Sequence, residues 1–346
     1  MSADDILFDH RGGLGLITLN RPKALNAISL DMVRRMATQL DAWATDDGVK
    51  AVLVQGAGGK AFAAGGDIQR LYDAMGDPAD DYPVPFFAEE YRLNRQIKRF
   101  PKPYIALYNG IVMGGGVGVS VHGSHRIATD KTMFAMPETG IGFFPDVGGT
   151  YFLPRLKGGL GAYMALTGGR LDGGDCVAEG LADVYLPVER TEALIDALAN
   201  AADVDVAIAA VAEPPPAGKL AYERTAVAVL FEQPTLMGVL ENLAASDGEF
   251  AEKQIAAVRS KSPLAVRVAW EQLQRGARLD FEACLKLEYR IALAACETGE
   301  FREGVRALIV DKDNAPEWMH ARIEDVPQDI VDKHFVAPDV GDMTFD

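Results

Sequence analysis

Leu14-Gly-Leu-Ile-Thr-Leu19, Ser29-Leu-Asp-Met-Val33 and Ala51-Val-Leu-Val-Gln55 decide how this chain folds. The first stretch alternates with period two and reads as a strand, closed by Pro22 and Asn26. Ser29 stands where a helix N-cap belongs. Behind it Leu30, Val33, Met36, Leu40 and Trp43 recur at helical spacing, so one stripe is buried while Arg34, Arg35 and Asp41 face water. The third stretch is an apolar strand that runs into Gly56-Ala-Gly-Gly59. Strand, helix, strand in this order predicts parallel pairing through a crossover, an α/β protein.

Outward from there, the Asp/Pro-rich stretch 75–85 is an expected loop before a helix over 86–99, which Pro101 and Pro103 end. Tyr104-Ile-Ala-Leu-Tyr108 is a buried strand delivering the chain into Asn109-Gly110 and Gly114-Gly-Gly116. Val117-Gly-Val-Ser-Val121 alternates as a strand does. A third strand-then-glycine arrangement spans 134–149. Glu213-Pro-Pro-Pro-Ala-Gly218 is the clearest linker, and the chain beyond it is helical by period. The expected organisation is therefore a core over 1–212, a linker at 213–218 and a mainly helical region over 219–346.

At 49% hydrophobic and 24% charged, the chain can bury a substantial core. Asp4 and Asp5 replace the basic and apolar regions of a signal peptide, and no apolar run is long enough for a membrane span, so a cytoplasmic protein is expected. Cys176, Cys284 and Cys296 are widely spaced and suit neither a disulfide framework nor a metal site; reduced thiols filling a core are expected. A net charge of -16 opposes a nucleic-acid partner. An anionic small ligand needs only local cations and N–H groups; Arg21, Lys23 and Lys60 are candidates, although each taken alone reads more readily as a solvated side chain.

Two glycine-rich turns each follow a buried strand: Ala63-Ala-Gly-Gly66-Asp67 and Met113-Gly-Gly-Gly116. Glycine lets the backbone approach a ligand and aim N–H groups at it, so separate loops can form an oxyanion hole; the alternative is that these glycines only permit tight turns. Glu138 follows, in an apolar run in which a carboxylate pays for desolvation unless partnered, and Asp146 lies beyond Pro145. Two such acids can divide acid and base roles. Glu90, on a partly apolar helix, reads by itself as solvent-facing. Gly56-Ala-Gly-Gly-Lys-Ala61 matches a dinucleotide-binding pattern, but Phe62-Ala-Ala-Gly-Gly66 breaks the helix it requires. His122 and His125 lack a third ligand, so no metal is expected, and no nucleophile elbow is present.

Leu19-Asn-Arg-Pro-Lys-Ala-Leu-Asn26, Lys60-Ala-Phe-Ala-Ala-Gly-Gly-Asp-Ile68, Asn109-Gly-Ile-Val-Met-Gly-Gly-Gly116 and Pro137-Glu138 resemble, in order and spacing, the crotonase (enoyl-CoA hydratase/isomerase) superfamily. The resemblance implies a spiral of ββα units with a C-terminal helical region. It also implies an acyl-CoA substrate, with no cofactor apart from the coenzyme A in that substrate, and homo-oligomeric assembly. The thioester oxygen would be held by the Gly66 and Gly115 N–H groups, the latter at a helix N-terminus rather than in the strand that alternation suggests. Phe87-Ala-Glu-Glu-Tyr91, Phe134 through Gly149, Leu287-Glu-Tyr-Arg290 and Phe301 through Asp313 resemble the members that hydrolyse short 3-hydroxyacyl-CoA thioesters, as in valine catabolism. That resemblance makes Glu138 and Asp146 catalytic, places Glu90, Gly115, Glu138 and Asp146 around the acyl group, and assigns coenzyme A to Lys23, Ala24, Ala64, Gly66, Asp67 and Ile68. Hydratases carry a second catalytic glutamate where this chain has Gly118, and glycine cannot move a proton. A hydratase or isomerase using Glu138 alone, and a non-catalytic acyl-CoA-binding protein, are the alternatives.

Overall fold

The computed structural model describes residues 4–345. These divide into two compact units, each made of three chain segments: 4–67, 92–134 and 171–221 form the first, and 68–91, 135–170 and 222–345 the second. Segments 68–91 and 135–170, expected in the N-terminal core, thus cluster with the C-terminal helices. The proline-rich segment 213–218 lies in the first unit. There Glu213 bridges Tyr185, and Gly174 packs so closely on it that a Cβ would stand 2.3 Å from the Pro216 carbonyl oxygen.

In the first unit, strands β1 (Ile6–Arg11), β2 (Leu14–Leu19), β3 (Ala51–Gly56), β5 (Tyr104–Tyr108), β7 (His125–Ala128) and β10 (Val184–Tyr185) form one sheet in that order. β1 pairs with β2 as an antiparallel hairpin that the sequence reading missed, and the other pairings are parallel. A second sheet runs β4 (Ala61–Ala63), β6 (Ile111–Met113), β8 (Met133–Ala135) and β9 (Leu171–Asp172). After each long strand of the first sheet the chain lays a short one in the second: β3 then β4, β5 then β6, β7 then β8. This alternation winds the chain into a spiral.

Period two explains how the main sheet is covered. Leu14 and Leu16 of β2 join Leu53, Ile105 and Leu107 in a buried cluster with Leu194 and Leu198 of the helix Thr191–Ala199. Gly15 points the other way, where Trp43 of helix α1 (Leu30–Thr45) fills the space a side chain would need, with ring atoms 2.9 Å from an ideal Cβ. Ser29 caps α1 as expected, accepting the Met32 N–H at 3.3 Å.

The second unit is mainly helical. It holds α2 (Ile68–Met75), the first part of α3 (Pro83–Lys98) and the long helices Pro263–Gly276 and Phe281–Thr298. No helix among the described residues is long and apolar enough to cross a membrane.

Candidate active site

In the first unit, the glycine loop after β4 is strapped to the chain before α1. Ala64 N–H donates to the Leu25 carbonyl at 3.0 Å, Ile28 N–H to Gly65 at 2.9 Å, and Asp67 N–H to Ile28 at 2.8 Å. In this parallel bridge Ile28 makes both bonds to the residues flanking Gly66. The bridge therefore leaves the Gly66 N–H directed away from Ile28. Asn26, fully buried at φ +59°, braces the strap by donating to the carbonyls of Ala57 at 2.9 Å and Ala61 at 2.8 Å. Arg21 donates to the Ala27 carbonyl at 2.8 Å and pairs with Asp67 at 2.9 Å. Arg21, a candidate cation for an anionic ligand, is instead occupied by the scaffold. Lys23 and Ala24 are exposed on the one-turn helix just ahead of Leu25, and Ile68 opens α2 directly after the loop.

Gly115 begins α4 (Gly115–Gly118), so the strand suggested by alternation over 117–121 is corrected to a helical turn. The Gly114 carbonyl decides it, accepting the Val117 and Gly118 N–H groups at 2.7 and 3.2 Å. As the first residue of the turn, Gly115 has an N–H with no intrahelical acceptor. Gly116 sets how near this turn comes to the glycine loop, since a Cβ there would stand 2.2 Å from the Ala63 carbonyl oxygen. Only glycine allows that approach.

The acids are carried by the second unit. Glu138 opens a short turn, Glu138–Ile141, and is buried at 6% exposure. Thr139 fixes the turn by donating to Ala165 and by accepting the Ser262 N–H at 3.1 Å. Close backbone contacts dock its far end: a Cβ on Gly142 would lie 2.3 Å from the Glu300 carbonyl oxygen, and one on Gly304 2.3 Å from that of Ile141. Phe143 then packs between Phe87 and Phe301, with ring centroids 5.6 and 4.4 Å away. The apolar run around Glu138 is thus the packing that immobilises it.

Asp146 lies further along the same loop and accepts a 2.9 Å hydrogen bond from the Tyr91 hydroxyl. Glu90, expected by itself to face solvent, is only 2% exposed. The buried stripe of α3 runs through Phe86, Phe87, Glu90 and Tyr91, so the helix carries Glu90 inward with its aromatic neighbours. Glu288, fully buried, was missed as a site candidate. The legible signal was a carboxylate within the apolar stripe Cys284, Leu285, Leu287, Ile291 and Ala292. It accepts the Gly148 N–H at 2.7 Å and the Thr150 N–H at 2.8 Å. Burial pushes Asp146 up to about 7, partly opposed by the Tyr91 hydrogen bond. Burial, then the charge of Asp146, raises Glu288 to about 8. Glu90 is driven well above the carboxylate range by burial and then by Asp146 and Glu288. Desolvation and the repulsion of one carboxylate by another thus shift proton release upward in all three acids.

The predicted residues therefore fall into two groups. Lys23, Ala24, Ala64, Gly66, Asp67 and Gly115 belong to the first unit, and Ile68, Glu90, Glu138 and Asp146 to the second. A strand–strand–helix spiral with glycine N–H donors after its short strands, and immobilised buried acids, defines the crotonase class of acyl-CoA enzymes. Residues 14–335 match the enoyl-CoA hydratase/isomerase family. The chain belongs to that family. It is 42% identical to the mitochondrial 3-hydroxyisobutyryl-CoA hydrolase of Danio rerio, over 99% of this chain and 92% of that protein. The Homo sapiens protein of the same name is 40% identical, with the same two coverages of 99% and 92%. Among solved structures, a carnitinyl-CoA dehydratase from Mycobacterium thermoresistibile is similar at TM-score 0.93 and 41% identity, covering 99% of both chains. An enoyl-CoA hydratase from Rhodobacter sphaeroides 2.4.1 matches at TM-score 0.92 and 36% identity, over 99% of this chain and all of the other.

Proposed function

We propose that the protein hydrolyses 3-hydroxyisobutyryl-CoA, or a closely similar short 3-hydroxyacyl-CoA, to the free acid and coenzyme A. The relatives named for this reaction support it, and one residue of this chain carries it against the lyases of the same fold. Gly118 lies buried in α4 where, by the family resemblance, a hydratase keeps its second glutamate.

The Gly66 and Gly115 N–H groups hold the thioester oxygen as it becomes an oxyanion, and one such donor is worth ~10²–10³ in turnover. Glu138 either activates a water or attacks the carbonyl carbon itself, giving an anhydride that water then opens. The C–S bond breaks, the thiolate takes up a proton, and one water is consumed per ester. Asp146, oriented by Tyr91, hydrogen-bonds the substrate's 3-hydroxyl, with Glu90 beside the acyl group. Lys23, Ala24, Ala64, Gly66, Asp67 and Ile68 contact the coenzyme A portion, and no separate cofactor is required. Homo-oligomeric assembly and a cytoplasmic setting complete the proposal; the vertebrate relatives are named as mitochondrial.

The two solved structures at TM-scores of 0.93 and 0.92 are a dehydratase and a hydratase, which favours a second reading in which Glu138 alone serves a lyase. A panel of acyl-CoA esters, assayed in parallel for free thiol and for enoyl absorbance, separates the two. Thiol release from 3-hydroxyisobutyryl-CoA should greatly exceed hydration of crotonyl-CoA. Fast hydration without thiol release overturns the hydrolase.

A further inference from the structure

Asp146 projects from a turn that is costly to hold. Val147, a β-branched residue, sits at φ +50° and Gly148 at φ +89°, the left-handed region that a valine rarely adopts. Such a conformation persists only where surrounding groups enforce it. Two helices of the second unit do so here. From Pro263–Gly276, Gln272 donates to the Pro145 carbonyl at 2.5 Å and to the Thr150 hydroxyl at 2.7 Å. From Phe281–Thr298, Glu288 spans the turn with one carboxylate oxygen on the Gly148 N–H and the other on the Thr150 N–H. A fully buried acid is an expensive way to satisfy two amides, because its charged form is desolvated and faces the charge of Asp146. Packing alone does not call for an acid there, which points to a role exercised through Asp146.

We infer that Glu288 is a positioning residue for the proposed hydrolysis: it grips the Pro145–Thr150 turn from both amides and thereby aims Asp146, with its Tyr91 partner, at the substrate. The inference rests on the hydroxyl-recognition reading of Asp146. The groups clustered with that carboxyl are Tyr91 and Glu90 on α3 and Glu288 on its own helix. Glu288 touches no substrate atom in this scheme. It acts by holding the turn, so its removal lets Val147 relax and Asp146 turn away.

The test is a double-mutant cycle on full-length protein, with 3-hydroxyisobutyryl-CoA and isobutyryl-CoA as paired substrates. Glu288→Gln keeps one acceptor for the two amides, and Glu288→Asp keeps the carboxyl with a shorter reach; whichever variant melts within a few degrees of wild type is carried through the cycle. Expected is a loss of about 10- to 100-fold in kcat on the hydroxy ester with KM nearly unchanged, together with a narrowing of the hydroxy-to-plain ester ratio. In the Asp146→Ala background the same Glu288 change should cost less than about threefold more, since the turn has nothing left to aim. A Glu288 effect that multiplies undiminished onto Asp146→Ala overturns the inference, as does a loss equal for both esters where Asp146→Ala itself changes their ratio. Asp146→Ala alone decides the underlying reading: if it leaves the ester ratio unchanged, hydroxyl recognition fails, and the kcat cycle still decides whether Glu288 works through Asp146.

Discussion

Glu138, the proposed nucleophile or base, is carried by a docked backbone. Its turn is pinned through Thr139, and the glycine contacts at Gly142 and Gly304 bring the backbone of 300–304 against it. The side chain is thus presented in a fixed direction from a rigid, buried backbone, which is the preorganisation that a nucleophile or base needs. Glu138→Gln changes little in volume and removes that capacity, so turnover of the hydroxy ester should fall by ~10²–10⁴ while the coenzyme A ester still binds. Steady-state thiol release, with binding followed by calorimetry, checks both halves. Activity within threefold of wild type would remove Glu138 from the chemistry.

At the scale of elements, the glycine loop and α4 depend on one close approach. Gly116 lets the first turn of α4 rest on the Ala63 carbonyl, and Asn26 with the 25–28 strap holds the loop from its other side. Backbone donors cannot be replaced by a side-chain change, but their placement can be disturbed. Gly116→Ala places a methyl 2.2 Å from a carbonyl oxygen, so α4 or β4 must shift. The variant should lose ~10²-fold in kcat, consistent with one misplaced oxyanion donor, for hydroxy and plain esters alike. Circular dichroism and melting accompany the assay. A native-like melt with full activity would mean that this approach does not set the donor.

For the whole molecule, the buried acids predict how stability varies with pH. Glu90, Asp146 and Glu288 all release protons at higher pH in the folded protein than in the unfolded chain. The native state therefore binds more protons across that interval, and stability falls as pH rises. The contribution is complete below the ordinary carboxylate range and is lost as pH passes about 7 for Asp146 and about 8 for Glu288. His334, lowered by burial, acts in the opposite sense: its stability is present above its ordinary value of 6.5 and lost below it. Measuring Tm from about pH 6.5 to 8.5 isolates the acids, and a decrease of ~2–6 °C is expected. Glu90→Gln removes one proton-releasing carboxyl from the cluster and should flatten the slope. A slope unchanged in that variant would show that Glu90 stays protonated throughout.

Local periodicity made α1, its Ser29 cap and the parallel β2–β3 pairing legible, because each is written within one element by spacing and burial. The ordered motifs likewise made Gly66, Gly115, Glu138 and Asp146 candidates from the chain alone. Alternation misled over 117–121, since small and branched residues also suit a buried helical turn, and the choice was made by the Gly114 carbonyl. Glu90 looked solvated because its own neighbours say nothing of what covers them, and Glu288, though inside the Leu287–Arg290 motif, is 142 residues from Asp146, so nothing in the chain says that the two meet. Tertiary structure alone placed those carboxyls in one buried cluster. Their altered proton affinities arise from mutual repulsion and lost hydration, which exist only once distant segments are packed together.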